Sequence, residues 1–206
     1  MKLKKSTIMI LVMSWILFLG VCFAAFYQLE QMKEARAANE KIFKDQSTEQ
    51  ISEEPAEYAD VRKFMADYYK AIQRDDREKL KTMVEDYQEL EKQQDSLEQY
   101  IEEYQDLSYR MESVQDSGDY IVYVSYQLKI KGIKTPAPGM TPYYLAKKGD
   151  SFLIYNNEDH DTEAVRTAKQ ESLGRKENKE LIEKVNEEYE EALKTEDQLK
   201  NFLKDE

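Results

Sequence analysis

The chain has 206 residues, with 30 Lys and Arg against 42 Asp and Glu, one His, one Cys and a formal net charge of −12. A single Cys excludes a disulfide within the chain, and together with a single His it excludes multi-Cys and His-rich metal sites. The acidic balance argues against nucleic acid as a partner, because Lys and Arg must neutralise its phosphates. No motif marks a catalytic, cofactor-binding or metal-binding residue, so we expect a non-enzymatic protein without a cofactor.

Residues 1–27 predict a cytoplasmic tip and a transmembrane helix. Residues 6–27 carry no charge, and a helix of that length spans about 33 Å, enough for a bilayer core of about 30 Å. Lys2, Lys4 and Lys5 precede this run. The positive-inside rule therefore places the N-terminus in the cytoplasm and the C-terminal domain outside. We expect a single-pass protein of the cell membrane that contacts the membrane through residues 6–27.

Two alternatives to a retained anchor stay open. A cleaved signal peptide also has a basic start and an apolar middle, although its apolar region is usually only about 7–15 residues long. The run from Leu19 to Cys22 resembles a bacterial lipobox, in which Cys22 would be lipidated, although the residue before such a Cys is normally small and here it is Val21. Both alternatives still place residues 30–206 outside the cytoplasm.

Residues 28–56 are predicted to form a helical stalk and a flexible linker. Residues 28–44 contain good helix formers and neither Gly nor Pro, whereas residues 45–56 are polar, acidic and weakly patterned. Pro55 suits the first turn of a new helix, where its missing N–H costs nothing. A folded domain is therefore expected to begin near residue 57.

Helical spacing of apolar residues predicts a first helix from Tyr58 to Ile72. The acidic break that follows contains Asp75 and Asp76, either of which can cap a second helix carrying Leu80. A short third helix is predicted around Ser96–Tyr104, and the stretch before it is ambiguous.

The apolar period then changes to two, which is typical of strands. We predict a four-stranded antiparallel meander following the helices, an α+β pattern. Its strands are expected at Leu107–Gln115, Tyr120–Lys131, Tyr143–Lys147 and Phe152–Tyr155, with a Pro/Gly loop at Lys134–Met140 and a turn at Lys148–Ser151.

The loop between the second and third strands holds three of the four prolines. Proline stiffens a loop and lowers the entropy that is lost on binding. One interpretation is a preformed contact loop, and the alternative is a rigid turn needed only for folding. The candidate contact residues are Thr135, Pro136, Pro138, Gly139, Met140 and Pro142.

Residues 161–206 predict a C-terminal helical region in which Gly174 separates two helices. In the second helix, apolar residues spaced three and four apart resemble the seam of a coiled coil, which would make a homo-oligomer. The alternative is an amphipathic helix that packs on its own domain. The candidate seam consists of Ile182, Val185, Tyr189, Ala192, Leu199 and Leu203, interrupted at Glu196.

Residues Tyr58–Val84 resemble the opening of NTF2-like (cystatin-like) domains, in which an aromatic helix ends in a short acidic turn and a second helix begins. The segment Gly132–Met140, followed by Tyr143-Tyr144, is similar to a loop of anchored extracytoplasmic domains of Gram-positive bacteria. The resemblance implies an NTF2-like domain over residues 57–160, with helices packed on a curved antiparallel four-stranded sheet. N-terminal transmembrane and C-terminal helices would flank this domain.

The resembled fold hosts enzymes, pocket binders and scaffolds. We favour a membrane-anchored, extracytoplasmic protein-interaction or scaffold module with an unidentified protein partner. One alternative is a component of a conjugation or secretion complex of the VirB8 type, which has the same single-span topology. The other is a small-molecule-binding or enzymatic cone pocket, although tyrosines of a half-buried sheet are often structural. The candidate pocket residues are Tyr68, Tyr104, Tyr123, Tyr126 and Tyr144.

Overall fold

The computed structural model describes residues 56–195 and Leu199. The predicted membrane segment at 6–27, the stalk and linker up to residue 55, and Glu196 and Leu203 of the candidate seam lie outside the described residues. Within the described part, no helix combines the length and the apolar character needed to cross a membrane.

The described residues form five α-helices and one antiparallel sheet whose four strands lie in sequence order. The α+β class and the meander are thereby confirmed. The elements in chain order are α1 (Ala56–Gln73), α2 (Arg77–Lys81), α3 (Tyr87–Leu97), β1 (Ile101–Ser113), β2 (Tyr120–Ile130), β3 (Ala137–Lys148), β4 (Ser151–Tyr155), a 3-10 turn (Glu158–His160), α4 (Glu163–Gly174) and α5 (Lys176–Thr195).

The first two helices follow their predicted signals. The chain turns after α1 at Asp75, which has a left-handed φ of 50°. Asp76 is the N-cap of α2, because its carboxylate accepts a hydrogen bond of 3.1 Å from the backbone N–H of Lys79. A capping carboxylate satisfies an N–H group that has no partner within the helix. Of the two candidate caps, the structure therefore selects Asp76.

The predicted third helix at Ser96–Tyr104 is wrong, because α3 occupies the stretch that the sequence left ambiguous. Asp86 caps α3 by accepting from the N–H of Glu89 at 3.0 Å, and its other oxygen accepts from the Asn157 amide at 2.8 Å. These bonds, with Asn157 the larger cause, lower the pKa of Asp86. From Ile101 onward the chain pairs with β2, and that pairing overrides the local helical preference of the Glu and Gln residues there.

The predicted Pro/Gly loop at Lys134–Met140 is also largely wrong, because β3 begins at Ala137 and pairs with β2 without interruption. Pro138 and Pro142 lie in this strand. The fourth strand pairs only with Tyr144–Lys148, so the first half of β3 has one side without a partner strand among the described residues. A proline fits a strand when its missing N–H faces such an open side.

Helices cover both faces of the sheet. On one face, the Phe64 ring of α1 lies 5.6 Å from the Phe152 ring of β4. On the other, Val165 and Val185 of α4 and α5 pack with Ile121 of β2. The sheet is not strongly curled, and it is flatter than the resemblance implied. A flat sheet can accept a helical layer on each face, whereas a strongly curled sheet closes round one face.

The candidate coiled-coil seam packs on its own chain. Val185 is 5% exposed and belongs to the cluster on β2 and β3, while Ala192 and Leu199 contact Ile130 and the turn after it. Ile182 and Tyr189 are half-buried against the same clusters. The alternative of an amphipathic helix on its own domain is therefore confirmed for the described residues. Among the described seam residues, Val185, Ala192 and Leu199 are buried within their own chain.

Gly139 permits the Tyr126 ring to lie across β3. These residues are direct partners in the β2–β3 ladder, and a methyl group at Gly139 would lie 2.6 Å from Cε2 of Tyr126. We expect Gly139→Ala to lower the free energy of unfolding by about 1–3 kcal/mol, the usual cost of overpacking. Urea unfolding of a fragment spanning Glu54–Asp205, the compact unit, measures this loss.

Gly174→Ala is the matched control, because an added methyl group there meets nothing within 4 Å. We expect it to leave the stability unchanged or to raise it by less than about 1 kcal/mol, since Ala favours helix over Gly. Equal losses in both variants would contradict the proposed contact between Tyr126 and Gly139.

Candidate functional site

The predicted pocket tyrosines do not line one cavity. Tyr126 faces α1, whereas Tyr123, three positions earlier in β2, faces the opposite helical layer, because side chains alternate along a strand. Tyr68 and Tyr104 lie with Tyr126 on the α1 side, and Tyr144 lies with Tyr123. The pocket hypothesis therefore joined residues that the sheet separates.

The α1 side of the sheet holds a cluster of five tyrosines. Their ring centroids are 5.0–6.2 Å apart, mostly in edge-to-face arrangements, which aromatic rings prefer. Two members were not predicted as pocket residues: Tyr69, which directly follows Tyr68 in the predicted first helix, and Tyr143, which opens a predicted strand. The tyrosine cluster consists of Tyr68, Tyr69, Tyr104, Tyr126 and Tyr143.

Hydroxyl groups of the tyrosine cluster bond to one another or to the neighbouring Thr141. The Tyr69 and Tyr143 hydroxyls are 3.0 Å apart, and the Tyr126 hydroxyl lies 3.1 Å from Oγ1 of Thr141. Loss of hydration raises the pKa of Tyr126 to about 12, although the Thr141 bond opposes the rise. Burial raises the pKa of Tyr104 well above its usual range. These phenols are therefore neutral near physiological pH, and their rings fill the space between α1 and the sheet.

The tyrosine cluster should limit stability at high pH. A phenol whose pKa is raised on folding stabilises the fold fully below the unfolded value of 10.0. This contribution is lost as the pH rises from there through the folded value of about 12 for Tyr126. Near-ultraviolet phenolate absorbance, recorded with circular dichroism, should show the cluster ionising only as the fragment unfolds. The Tyr126→Phe variant should unfold at a higher pH than the unchanged fragment. Ionisation of all tyrosines near pH 10 with the fold intact would contradict the burial of the tyrosine cluster.

A second interior site is a network of polar side chains around a buried carboxylate. Glu112 of β1 is 7% exposed and accepts hydrogen bonds of 2.7 Å from Oγ of Ser172 and from Nδ2 of Asn178. The Arg110 guanidinium donates to Oδ1 of Asn178 at 2.6 Å, and the Tyr123 hydroxyl lies 2.9 Å from the Ser172 hydroxyl. We call these five residues the Glu112 network.

The charge of Glu112 is balanced within the site. Guanidinium nitrogens of Arg110 and Arg175 lie 3.7 Å and 3.5 Å from its two oxygens. A buried carboxylate is tolerated when it is both hydrogen-bonded and paired, and this one is. Ser172 is 1% exposed and its hydroxyl bonds both Glu112 and Tyr123, so a substrate cannot approach it as it would a nucleophile. The network acts as a clamp that joins β1 to the junction of α4 and α5.

The Glu112 network has no local signal in the sequence, because its members are far apart along the chain. Glu112 and its partners Ser172 and Asn178 are separated by 60 and 66 residues. In a chain with 42 acidic residues, one Glu in a strand carries no distinguishing signal. Only the packing of α4 and α5 on the sheet brings these groups together.

Replacing Asn178 tests whether the Glu112 network holds β1 to the junction of α4 and α5. We expect Asn178→Ala to lower the free energy of unfolding by about 2–3 kcal/mol, because the buried Glu112 loses a hydrogen-bond partner and the partly exposed Arg110 loses another. Asn186→Ala, on the same helix and only half-buried, is the control and should change stability by less than about 0.5 kcal/mol. Urea unfolding measures both; a loss at Asn178 no larger than at Asn186 would exclude the clamp.

The candidate contact residues do not form one exposed loop. Thr135 and Pro136 precede β3 and are half-buried, whereas Pro138, Gly139 and Pro142 are ladder partners of β2. Met140 is 6% exposed and packs in the cluster under α4 and α5. The preformed contact surface stays a prediction; apart from Met140 its residues are half-buried, and most of them lie on a strand and not in a loop.

The two edges of the sheet differ. Beside β4, Val84 forms a parallel bridge with Ile154, whose N–H donates to the Met83 carbonyl at 2.8 Å and whose carbonyl accepts from the Glu85 N–H at 2.8 Å. No strand among the described residues pairs with the outer side of β1. An uncovered edge strand presents unpaired backbone groups to another chain. Among the described residues, the outer side of β1 is therefore open to pairing with a further strand.

Within residues 56–195, no group of three or more His, Cys, Asp or Glu side chains is arranged to hold a metal ion. Comparison of the chain with protein-family models, with curated proteins and with solved structures finds no match.

Proposed function

We propose that the protein is a membrane-anchored, extracytoplasmic protein-interaction or scaffold module without enzymatic activity. The observation that carries the proposal is the filled interior of the described domain. The tyrosine cluster occupies the space on the α1 side of the sheet, and the Glu112 network and the apolar cluster around Val185 occupy the other side.

A pocket binder or a pocket enzyme needs a concave cavity with polar groups that are free to meet a ligand. In the described domain, the Tyr69 and Tyr143 hydroxyls pair with each other, and the Glu112 carboxylate is held by Ser172 and Asn178. The surface is then the part of the domain that is left for function, which favours a protein partner over a small molecule.

The membrane anchor of this proposal is residues 6–27, an uncharged run preceded by three lysines. The NTF2-like assignment is likewise a proposal. The order of helices followed by a four-stranded antiparallel meander supports it, while the weak curl of the sheet departs from the cone of that family.

Cysteine labelling in intact cells tests the proposed topology. Cys22 is the only cysteine, so Cys22→Ser provides a background for single cysteines at Lys4, in the predicted cytoplasmic tip, and at Glu190, exposed on α5. A membrane-impermeant maleimide should label Glu190→Cys in intact cells and Lys4→Cys only after permeabilisation. The opposite pattern would overturn the topology, and loss of membrane retention in Cys22→Ser itself would favour lipidation.

A further inference from the structure

The outer face of α1 carries three cations in one line. Val61 and Met65, on the inner face of this helix, are fully buried against the sheet. On the opposite side, Lys63, Lys70 and the directly following Arg74 are all exposed. At 3.6 residues per turn, their spacing places these three side chains within about 40° of one another around the helix axis. We call them the α1 strip.

The α1 strip is not neutralised by carboxylates of the described domain. Within residues 56–195, no Asp or Glu oxygen lies within 4 Å of a cationic nitrogen of the strip. Asp67, the carboxylate beside it on α1, pairs instead with Lys79 of α2 at 3.4 Å. Asp60 is exposed at the flank of the strip, about 60° round the helix from Lys63. The outermost line of the helix therefore stays positively charged.

The charge of the α1 strip contrasts with that of the rest of the chain, whose formal net charge is −12. On the other face of the sheet, α5 carries seven Glu against four Lys. A negatively charged surface would therefore attract the domain through its α1 side and repel it through its α5 side. The distribution of charge thus selects α1 as the side that can lie against an anionic surface.

The proposed anchor brings one such surface close to α1. Residues 28–55 separate the uncharged run from Ala56, the first residue of α1, and even a fully extended chain of that length reaches only about 100 Å. This tether keeps the domain at a high effective concentration beside its own membrane, so a weak contact is sufficient. Near anionic lipid, each Lys or Arg strengthens binding about fivefold, and three together roughly a hundredfold.

We propose that the α1 strip binds the phosphate headgroups of anionic phospholipids in the membrane that anchors the protein. The proposal rests on the proposed anchor and deepens the proposed function, because it specifies which surface is left for a protein partner. With α1 on the membrane, α4 and α5 face away from it, since they cover the opposite face of the sheet. Ala59 and Ala66 are exposed beside the strip, and their short side chains let headgroups approach the cations.

Fluorescence quenching of the full chain in lipid vesicles tests the contact. In the Cys22→Ser background, Ala66→Cys carries an environment-sensitive fluorophore between Lys63 and Lys70, and Glu190→Cys carries the same fluorophore on α5 as the control. The quencher is a nitroxide on a lipid headgroup. Adding phosphatidylglycerol to phosphatidylcholine vesicles should raise the quenching at position 66 severalfold and leave that at position 190 unchanged. High salt should remove the gain, because it screens exposed charges.

Variants without the charges test whether the α1 strip itself makes the contact. Lys63→Gln, Lys70→Gln and Arg74→Gln together should return the quenching at position 66 to its level without phosphatidylglycerol, because Gln favours a helix similarly but carries no charge. A matched variant removes three exposed lysines elsewhere and should keep most of the gain. It consists of Lys134→Gln, Lys148→Gln and Lys194→Gln.

Quenching at position 66 that phosphatidylglycerol does not raise, or a gain that both triple variants lose equally, would overturn the proposal. Flotation of the vesicles judges the anchor separately. A chain that does not float with the vesicles would overturn the anchor and, with it, this proposal. A chain that floats but shows no quenching at position 66 leaves the anchor intact, and the headgroup contact alone is then wrong.

Discussion

The described domain depends on the burial of both faces of β2. Ile121, Val122, Tyr123 and Val124 are consecutive and all at most 4% exposed. Because successive side chains point to opposite faces, such a run is stable only if material covers the sheet on each side. Helix α1 supplies one cover, and α4 and α5 supply the other. The arrangement of the helices follows from this requirement.

The helical layers on the two faces of the sheet are held by different kinds of interaction. On the α1 side, aromatic rings contact one another, and the hydroxyls of Tyr69 and Tyr143 pair with each other. On the other side, the apolar contacts of Val185 are joined by the Glu112 network, whose hydrogen bonds have definite directions. Apolar contact provides most of the stabilisation of a domain. Directional bonds to a buried charge determine where the junction of α4 and α5 lies on β1.

The filled interior supports the proposal that the domain acts through its surface. The two edges of the sheet differ, because Val84 bridges to β4, whereas no strand in the described domain pairs with the outer side of β1. The irregular and acidic start of β1 blocks pairing there, which leaves Ser108–Ser113 as the accessible segment. Interior packing and edge geometry are both consistent with the proposed contact with another polypeptide.

Features that depend on nearby residues could be read from the sequence. Backbone preferences and periodicity act within a few residues. They determine the helical spacing from Tyr58, the cap of α2, the alternation of β2 and the break at Gly174. The predicted membrane segment has the same local basis. Contacts between residues far apart in the sequence determined the features that local patterns did not predict.

Pairing with β2 converted the segment after Ile101 and the proline segment after Ala137 into strands, against their local preferences. The division of the tyrosines between two faces depends on which helix covers each face. The Glu112 network joins groups that lie 60 and 66 residues apart in the sequence. Local sequence patterns indicate which secondary structures a segment can form. Burial of its side chains against elements far away in the sequence decides which of them has the lower free energy. Only the tertiary structure therefore determined these features.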